Sequence, residues 1–268
     1  IAIYTDAPLQ LPVENIACSG MAYSGLNQGS KTKVSGPGTI YIYDSTQENG
    51  TLYVKQSPSV ATLNNVYTST PVVGDIALDA VVMHGYTQLR VVEGSSLTLP
   101  SLSAVTSLNQ ESNGASALVY AGGTLNLGGG DQVLKSKVAF SAPAPYTFSG
   151  NLTLEEGAVL GAPVKAFGFD SSYFDITHTI NVKGDLTIPK GAFASATRNC
   201  AYTTGGKTSK LGSHGGQTLW LKAVKGYALT NGYDSILNPY MPGGSNYRGF
   251  NAGGVLNLVV DGVLTVDG

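Results

Sequence analysis

The sequence predicts an all-β protein whose strands lie over one another as the layers of a parallel solenoid. Three observations carry this. First, a phrase of Gly or Ser, one variable residue and then alternating apolar residues occurs eight times: GTIYIY at 38, GTLYVKQ at 50, SSLTLP at 95, GTLNLGG at 123, GNLTLEEGA at 150, GDLTIPKGA at 184, GVLNLVV at 254 and GVLTVDG at 262. Alternation over four to six residues, bounded by Gly, Asn, Asp and Pro, marks half-buried strands. Second, no window of helical length holds a 3.6-residue apolar stripe, and segments such as SPSVATLNNVYTSTPVV are rich in β-branched and turn residues. Third, the phrases recur at repeat-like steps. GNLTLEEGAVL and GDLTIPKGAFA keep register while starting 34 residues apart (184 minus 150), after steps of 28 (123 minus 95) and 27 (150 minus 123).

Such steps fit one coil per repeat, because a single coil cannot bury its own apolar face and stacking at ~4.8 Å pairs each strand with its neighbours. The alternative is a β-sandwich, which needs strands every 8 to 12 residues and hairpin turns. Asn-Gly and Asp-Gly at Asn49-Gly50, Asn113-Gly114, Asn231-Gly232 and Asp261-Gly262 keep it open.

Along the chain, residues 1–70 are less regular, broken by Pro8, Pro12, Pro37 and Pro58, and read as a small N-terminal β segment or cap. Residues 71–268 carry the solenoid. Within it, alternation turns Leu125 with Leu127, Leu152 with Leu154, Leu186 with Ile188, Leu256 with Leu258, and Leu264 with Val266 toward the core. A Gly- and Tyr-rich stretch at 198–252 is too long for a turn and reads as an insertion.

Composition narrows the function. The 268 residues suffice for a sizeable core, with 35 glycines and only 12% charged residues against the usual ~25%. With 42% hydrophobic residues the chain can bury enough surface to fold, and so little charge suggests that part of its surface is covered. A net charge of -2 gives no footprint for nucleic acid; Lys207, Lys210, Lys222 and Lys225 form the only basic cluster and read as a solvated face. No apolar run is long enough for a helical membrane span, so no membrane insertion is expected. The opening IAIYTDAPLQLP lacks an initiator Met and a signal-like segment, so the chain reads as a processed or excised piece.

Cys18 and Cys200 either pair with each other, pair with a neighbouring molecule, or are two unrelated thiols. Asn49 and Asn151 begin Asn-x-Thr sequons and are candidate glycosylation sites.

The segment GSHGGQ, followed by YDSILNPYMPGGSNYRGFNAGGVLNLVVDGVLTVDG, resembles a glycine-rich module of large extracellular proteins of bacteria and protists. The matching positions are His214, Gly215, Gly216, Tyr233, Ser235, Asn238, Pro239, Gly253, Gly254, Leu264, Thr265 and Gly268, about a fifth of the chain. The resemblance implies a right-handed parallel β-helix of the pectin-lyase-like or adhesin type, in secreted, surface-attached or filamentous proteins. The stretch between Gly216 and Gly243 is leaner in glycine than the module.

Polysaccharide-cleaving β-helices need paired carboxylates or an acid cluster with a basic residue. Here Asp75 with Asp79, Asp170 with Asp175, and Glu155 with Glu156 do not recur on consecutive phrases, and Arg90, Arg198 and Arg248 flank no acid pair. Asp170, Asp175 and His178 in FDSSYFDITH form the best constellation, against a polar loop closed by Asx turns. His84 and His214 have no His or Cys partner at metal spacing, and LGGGDQVL is only half of a calcium-binding nonapeptide. No catalytic residue, cofactor or metal is therefore assigned.

Aromatic residues on a low-charge surface suit protein interfaces or sugar rings. Tyr41, Tyr43, Trp220, Tyr233, Tyr240, Tyr247 and Phe250 are interface candidates, with Val255 and Val263 on the last two phrases. A solenoid that ends in an uncapped apolar strand offers unpaired N–H and C=O groups to a neighbour. The expectation is a non-catalytic extracellular structural or adhesive module that associates with itself or with adjoining modules. The alternatives are a carbohydrate-binding or polysaccharide-cleaving β-helix and a receptor-binding spike.

Overall fold

A computed structural model describes residues 1–9, 12–18, 22–23, 33–34, 36–56, 68–85, 87–108, 116–161, 177–196, 201–202, 218–220, 228–230, 244–245 and 255–267. Among these the regular elements are strands, apart from two short 3-10 turns, Val13–Asn15 and Leu102–Ala104. The protein is all-β, and its sheets are mostly parallel.

The largest sheet among the described residues, here the central sheet, holds six strands. It stacks Thr68–Val72, Thr87–Val92, Ser116–Ala121, Val138–Ser141, Val159–Gly161 and Phe193–Ser195, all parallel. Between visits to this sheet the chain visits two others. Before residue 130 these are a sheet of Ala2–Tyr4, Gly38–Tyr43, Thr51–Lys55, Ala80–Met83 and Val105–Ser107, and a sheet of Asp75–Ala77, Ser96–Leu99 and Thr124–Leu127. After it they are Gln132–Leu134, Leu152–Leu154, Leu186–Ile188 and Leu264–Val266, and Tyr146–Phe148, Thr177–Val182 and Val255–Val260.

Part of the recurring phrase stacks as the alternation predicts. Leu97 lies over Leu125, and Leu152, Leu186 and Leu264 form one in-register column beside Leu154, Ile188 and Val266. The other copies depart from it. GTIYIY and GTLYVKQ pair antiparallel, with Tyr41 opposite Leu52. The phrase at 123 does not lie over the one at 150, whose strand pairs with Gln132–Leu134 instead. GVLNLVV pairs with Thr177–Val182, outside the set of phrases altogether.

The glycine before each Leu has a packing reason. Asp131, Asn151 and Asp185 occupy the same position in three layers, and each accepts the backbone N–H of the next. Asp131 Oδ1 takes that of Asn151 at 3.0 Å, Asn151 Oδ1 that of Asp185 at 2.7 Å, and Asp185 Oδ1 that of Val263 at 2.8 Å. A Cβ on Gly184 would collide with Asn151 Oδ1, and one on Gly262 with Asp185 Oδ1, so only glycine leaves the ladder room.

One apolar core runs through the stack. It joins Val54, Val81 and Met83 to Leu118, Phe140 and Phe148 and on to Leu186 and Ile188. Each such fully buried side chain contributes about 1.5–3 kcal/mol relative to exposure. A smaller core lies at the N-terminal end, where Ile16, Ile40 and Ile42 pack with Ile3, Leu9 and Val13. Residues 38–55 thus serve two cores, because Thr51–Lys55 continues in parallel register into Ala80–Met83.

Candidate functional site

Near residue 130 the pairing of two of the sheets breaks, which leaves a join between the earlier and the later strands. The central sheet crosses the join, with Ala117 opposite Ala139 and Leu118 opposite Phe140. The flanking sheets do not cross it. Val105–Ser107 is not paired to Gln132–Leu134, nor Thr124–Leu127 to Tyr146–Phe148. On the Tyr146–Phe148 side the local sequence explains the break. Ala142-Pro143-Ala144-Pro145 precedes the later strand, and two of its four residues have no N–H to give to the layer before. Ala144 reaches Tyr120 O only at 3.4 Å.

Side chains bridge where the ladders stop. Gln132, buried to 4% exposure, accepts the N–H of buried Leu102 at 2.7 Å and donates to Gly128 O at 2.8 Å. The Tyr146 hydroxyl donates to Leu125 O at 3.4 Å. Burial drives the Tyr146 phenol up to about 12, with Tyr120 adding to the shift. Its ring packs against Tyr120, Phe140 and Phe148 at centroid distances of 4.8, 5.2 and 4.9 Å.

What remains open is a slot of about 250 Å³ lined by Leu125, Asn126, Leu127, Gln132, Tyr146, Thr147, Phe148 and Ser149. None of these side chains is charged. In a parallel ladder alternate residues direct their N–H and C=O to the same neighbour. Thr124 and Gly128 donate to Ser95 and Leu99 in the preceding layer, which turns the Leu125 and Leu127 backbone toward the slot. Phe148 O accepts from Lys183 in the following layer, which turns that of Thr147 there too. The slot can form hydrogen bonds with a guest, and its lining brings no acid, base or nucleophile pair together.

Several residues singled out by sequence hold the fold. His178 is buried, and its Nδ1 accepts the Ala142 N–H at 3.1 Å; Asp170 and Asp175 lie outside the described residues. Asp79 accepts the N–H groups of Glu48, Asn49 and Gly50. Burial acts to raise its pKa, and these bonds together with the Asn49 amide outweigh it and hold the carboxyl below its usual range. Asp75 takes the Ser96 hydroxyl at 2.6 Å, and Glu155 takes Lys135 and the Ser136 N–H. Asp131, in the half-nonapeptide, supports the Asx ladder. Half-buried His84 has its pKa lowered by desolvation first and by Lys55 second. Among the described residues no group of three or more His, Cys, Asp and Glu converges to hold a metal ion. No helix among them is long and apolar enough to cross a membrane.

The candidate surface residues divide. Tyr41 lies partly buried against the main core, and its hydroxyl donates to Asn49 O. Tyr43 stands opposite exposed Tyr4, which contacts both tyrosines at centroid distances of 5.6 and 6.4 Å. Tyr4 was not singled out by sequence because IAIY lacks the preceding glycine. Val255 is buried, so it offers no surface to a partner, whereas Val263 is exposed. Trp220 sits on a short strand, Thr218–Trp220, paired with Ala228–Thr230. Tyr233, Tyr240, Tyr247, Phe250, His214 and Cys200 lie outside the described residues. The Cys18 thiol faces Thr39 O at 3.4 Å. At the Asn49 sequon the amide nitrogen donates to Asp79 Oδ1 and Thr51 is buried, while at Asn151 the side-chain oxygen belongs to the ladder.

Compared with known protein families, curated proteins and solved structures, the chain matches none.

Proposed function

We propose that the three sets of strands are the faces of a parallel β-helix. It is right-handed, as crossovers between parallel strands of one sheet almost always are. On this reading the chain is a non-catalytic structural or adhesive module of an extracellular surface fibre or filament. It associates with further copies of itself or with adjoining modules.

The carrying observation is a change in exposure along one column. Leu186 and Ile188 are 0% and 6% exposed, whereas Leu264 and Val266, which stand over them in register, are 50% and 59% exposed. Val259, on the preceding strand, and Val263, just before Leu264, are also exposed. A further layer of the same kind would bury this surface and pair the free strand edges beneath it.

Sedimentation velocity over a wide concentration range tests this. Reversible, concentration-dependent association is expected, and Leu264→Lys with Val266→Lys abolishes it while leaving the circular dichroism unchanged. A strictly monomeric protein at the highest concentration overturns self-association. A discrete trimer at all concentrations favours a receptor-binding spike.

A further inference from the structure

From its geometry, we infer that the slot between Thr124–Leu127 and Tyr146–Ser149 is a binding site for a single neutral, polyhydroxylated ring, the unit of an uncharged glycan. This goes beyond self-association and is independent of it, since a monomer can bind a sugar.

Four features select that chemistry. The slot, about 250 Å³, is smaller than the ~300–1,000 Å³ typical of sites for drug-sized ligands, so it takes one ring and not a chain of them. With no charged side chain in its lining, the slot offers no counter-charge to an acidic sugar or a phosphate ester, which favours a neutral guest. Its supply of hydrogen bonds is mixed. Thr147 Oγ1 accepts from Asn181 at 3.2 Å and keeps its own proton to donate. Asn126 gives one amide N–H to Thr98 and retains its oxygen and second N–H, and Ser149 adds an exposed hydroxyl. The backbone of Leu125, Leu127 and Thr147 brings further donors and acceptors, and a ring bearing several hydroxyls can serve both kinds at once. Finally, Tyr146 is held in place by its three aromatic neighbours and by Leu125 O, so the site is formed before the ligand arrives.

The tyrosines at the N-terminal end are the natural competitor for a sugar. Their rings pack against one another and Tyr41 against the core, whereas the slot holds open volume.

Amide spectra of the 15N-labelled protein, titrated into the millimolar range with glucose, galactose, mannose and N-acetylglucosamine, decide the matter. At least one sugar is expected to shift the amides of Leu125, Leu127, Thr147 and Ser149 saturably, and glucuronate to shift them far less. Asn126 and Thr147 are exposed, so Asn126→Lys with Thr147→Lys should keep the fold and weaken binding by about tenfold or more through lost hydrogen bonds and crowding. Four results overturn the proposal: no shift at these amides with any neutral sugar, shifts confined to Tyr4 and Tyr43, equal response to glucuronate, or affinity unchanged in the double variant. Should the fold of the double variant be lost, Ser149→Lys alone serves in its place, judged by the same criterion.

Discussion

The central sheet and the sheets beside it meet the same join and respond differently. In the central sheet the chain supplies Ser116–Ala121 and Val138–Ser141, two proline-free strands whose small outward residues Ala117 and Ala139 and inward Leu118 and Phe140 all bury. On the slot side it supplies two prolines just before Tyr146, and the ladder stops. In the central sheet both backbone pairing and apolar packing cross the join, whereas on the slot side only ring packing and side-chain hydrogen bonds do. Continuity of a stack depends less on how apolar its layers are than on whether each corner delivers N–H groups at the right height.

Three experiments break or sharpen that contrast. Phe140 is fully buried in the sheet that crosses and touches both Tyr146 and Phe148. Phe140→Ala should cost about 3–5 kcal/mol in chemical denaturation. A loss below that of an exposed substitution such as Leu264→Ala would mean that the join is not held by this core. Gln132 carries the polar load on a side that does not cross. Its replacement by Ala strands the buried Leu102 N–H and should cost about 1–3 kcal/mol, with Gln132→Glu recovering part of it by keeping the acceptor. An unchanged midpoint for Gln132→Ala would show the bridge to be dispensable.

The smallest effect concerns pH. Asp79, in a layer before the join, is pulled below its usual pKa by hydrogen bonds that outweigh its burial. Glu155, after it, is pulled down by the Lys135 side chain first and by the Ser136 N–H second. A carboxyl depressed in the folded state adds stability that is complete above its unfolded pKa and is lost as pH falls through the folded one. The melting temperature should fall as pH drops below roughly 5, and Asp79→Asn should flatten that slope. An identical slope in the variant would remove Asp79 from the account.

The all-β character and part of the strand register could be read in the sequence, for a physical reason. Where one face is buried and the other wet, alternation fixes the side, and Gly before Leu fixes the height, as Leu152, Leu186 and Leu264 illustrate. The central sheet left no such signature. Its strands TQLRVV, SALVYA and VAFS are buried on both faces, so nothing alternates. Direction was equally silent, because GTIYIY and GTLYVKQ read alike whether they run parallel or, as here, antiparallel. The slot was hidden for a third reason. It arises from a pairing that fails between residues 127 and 146, and Pro143 and Pro145 read as an ordinary corner until the strand on either side has been placed.

The Asx ladder has an arrow. Each of Asp131, Asn151 and Asp185 reaches toward the layer that comes later in the chain and never back, and the corresponding place in the outermost layer belongs to Val263. A newcomer settling there inherits no carboxylate or amide to grip its first N–H. The ladder therefore has two unlike ends, and at the Val263 position a joining strand would be held by apolar contact and backbone, tunable by substituting one residue.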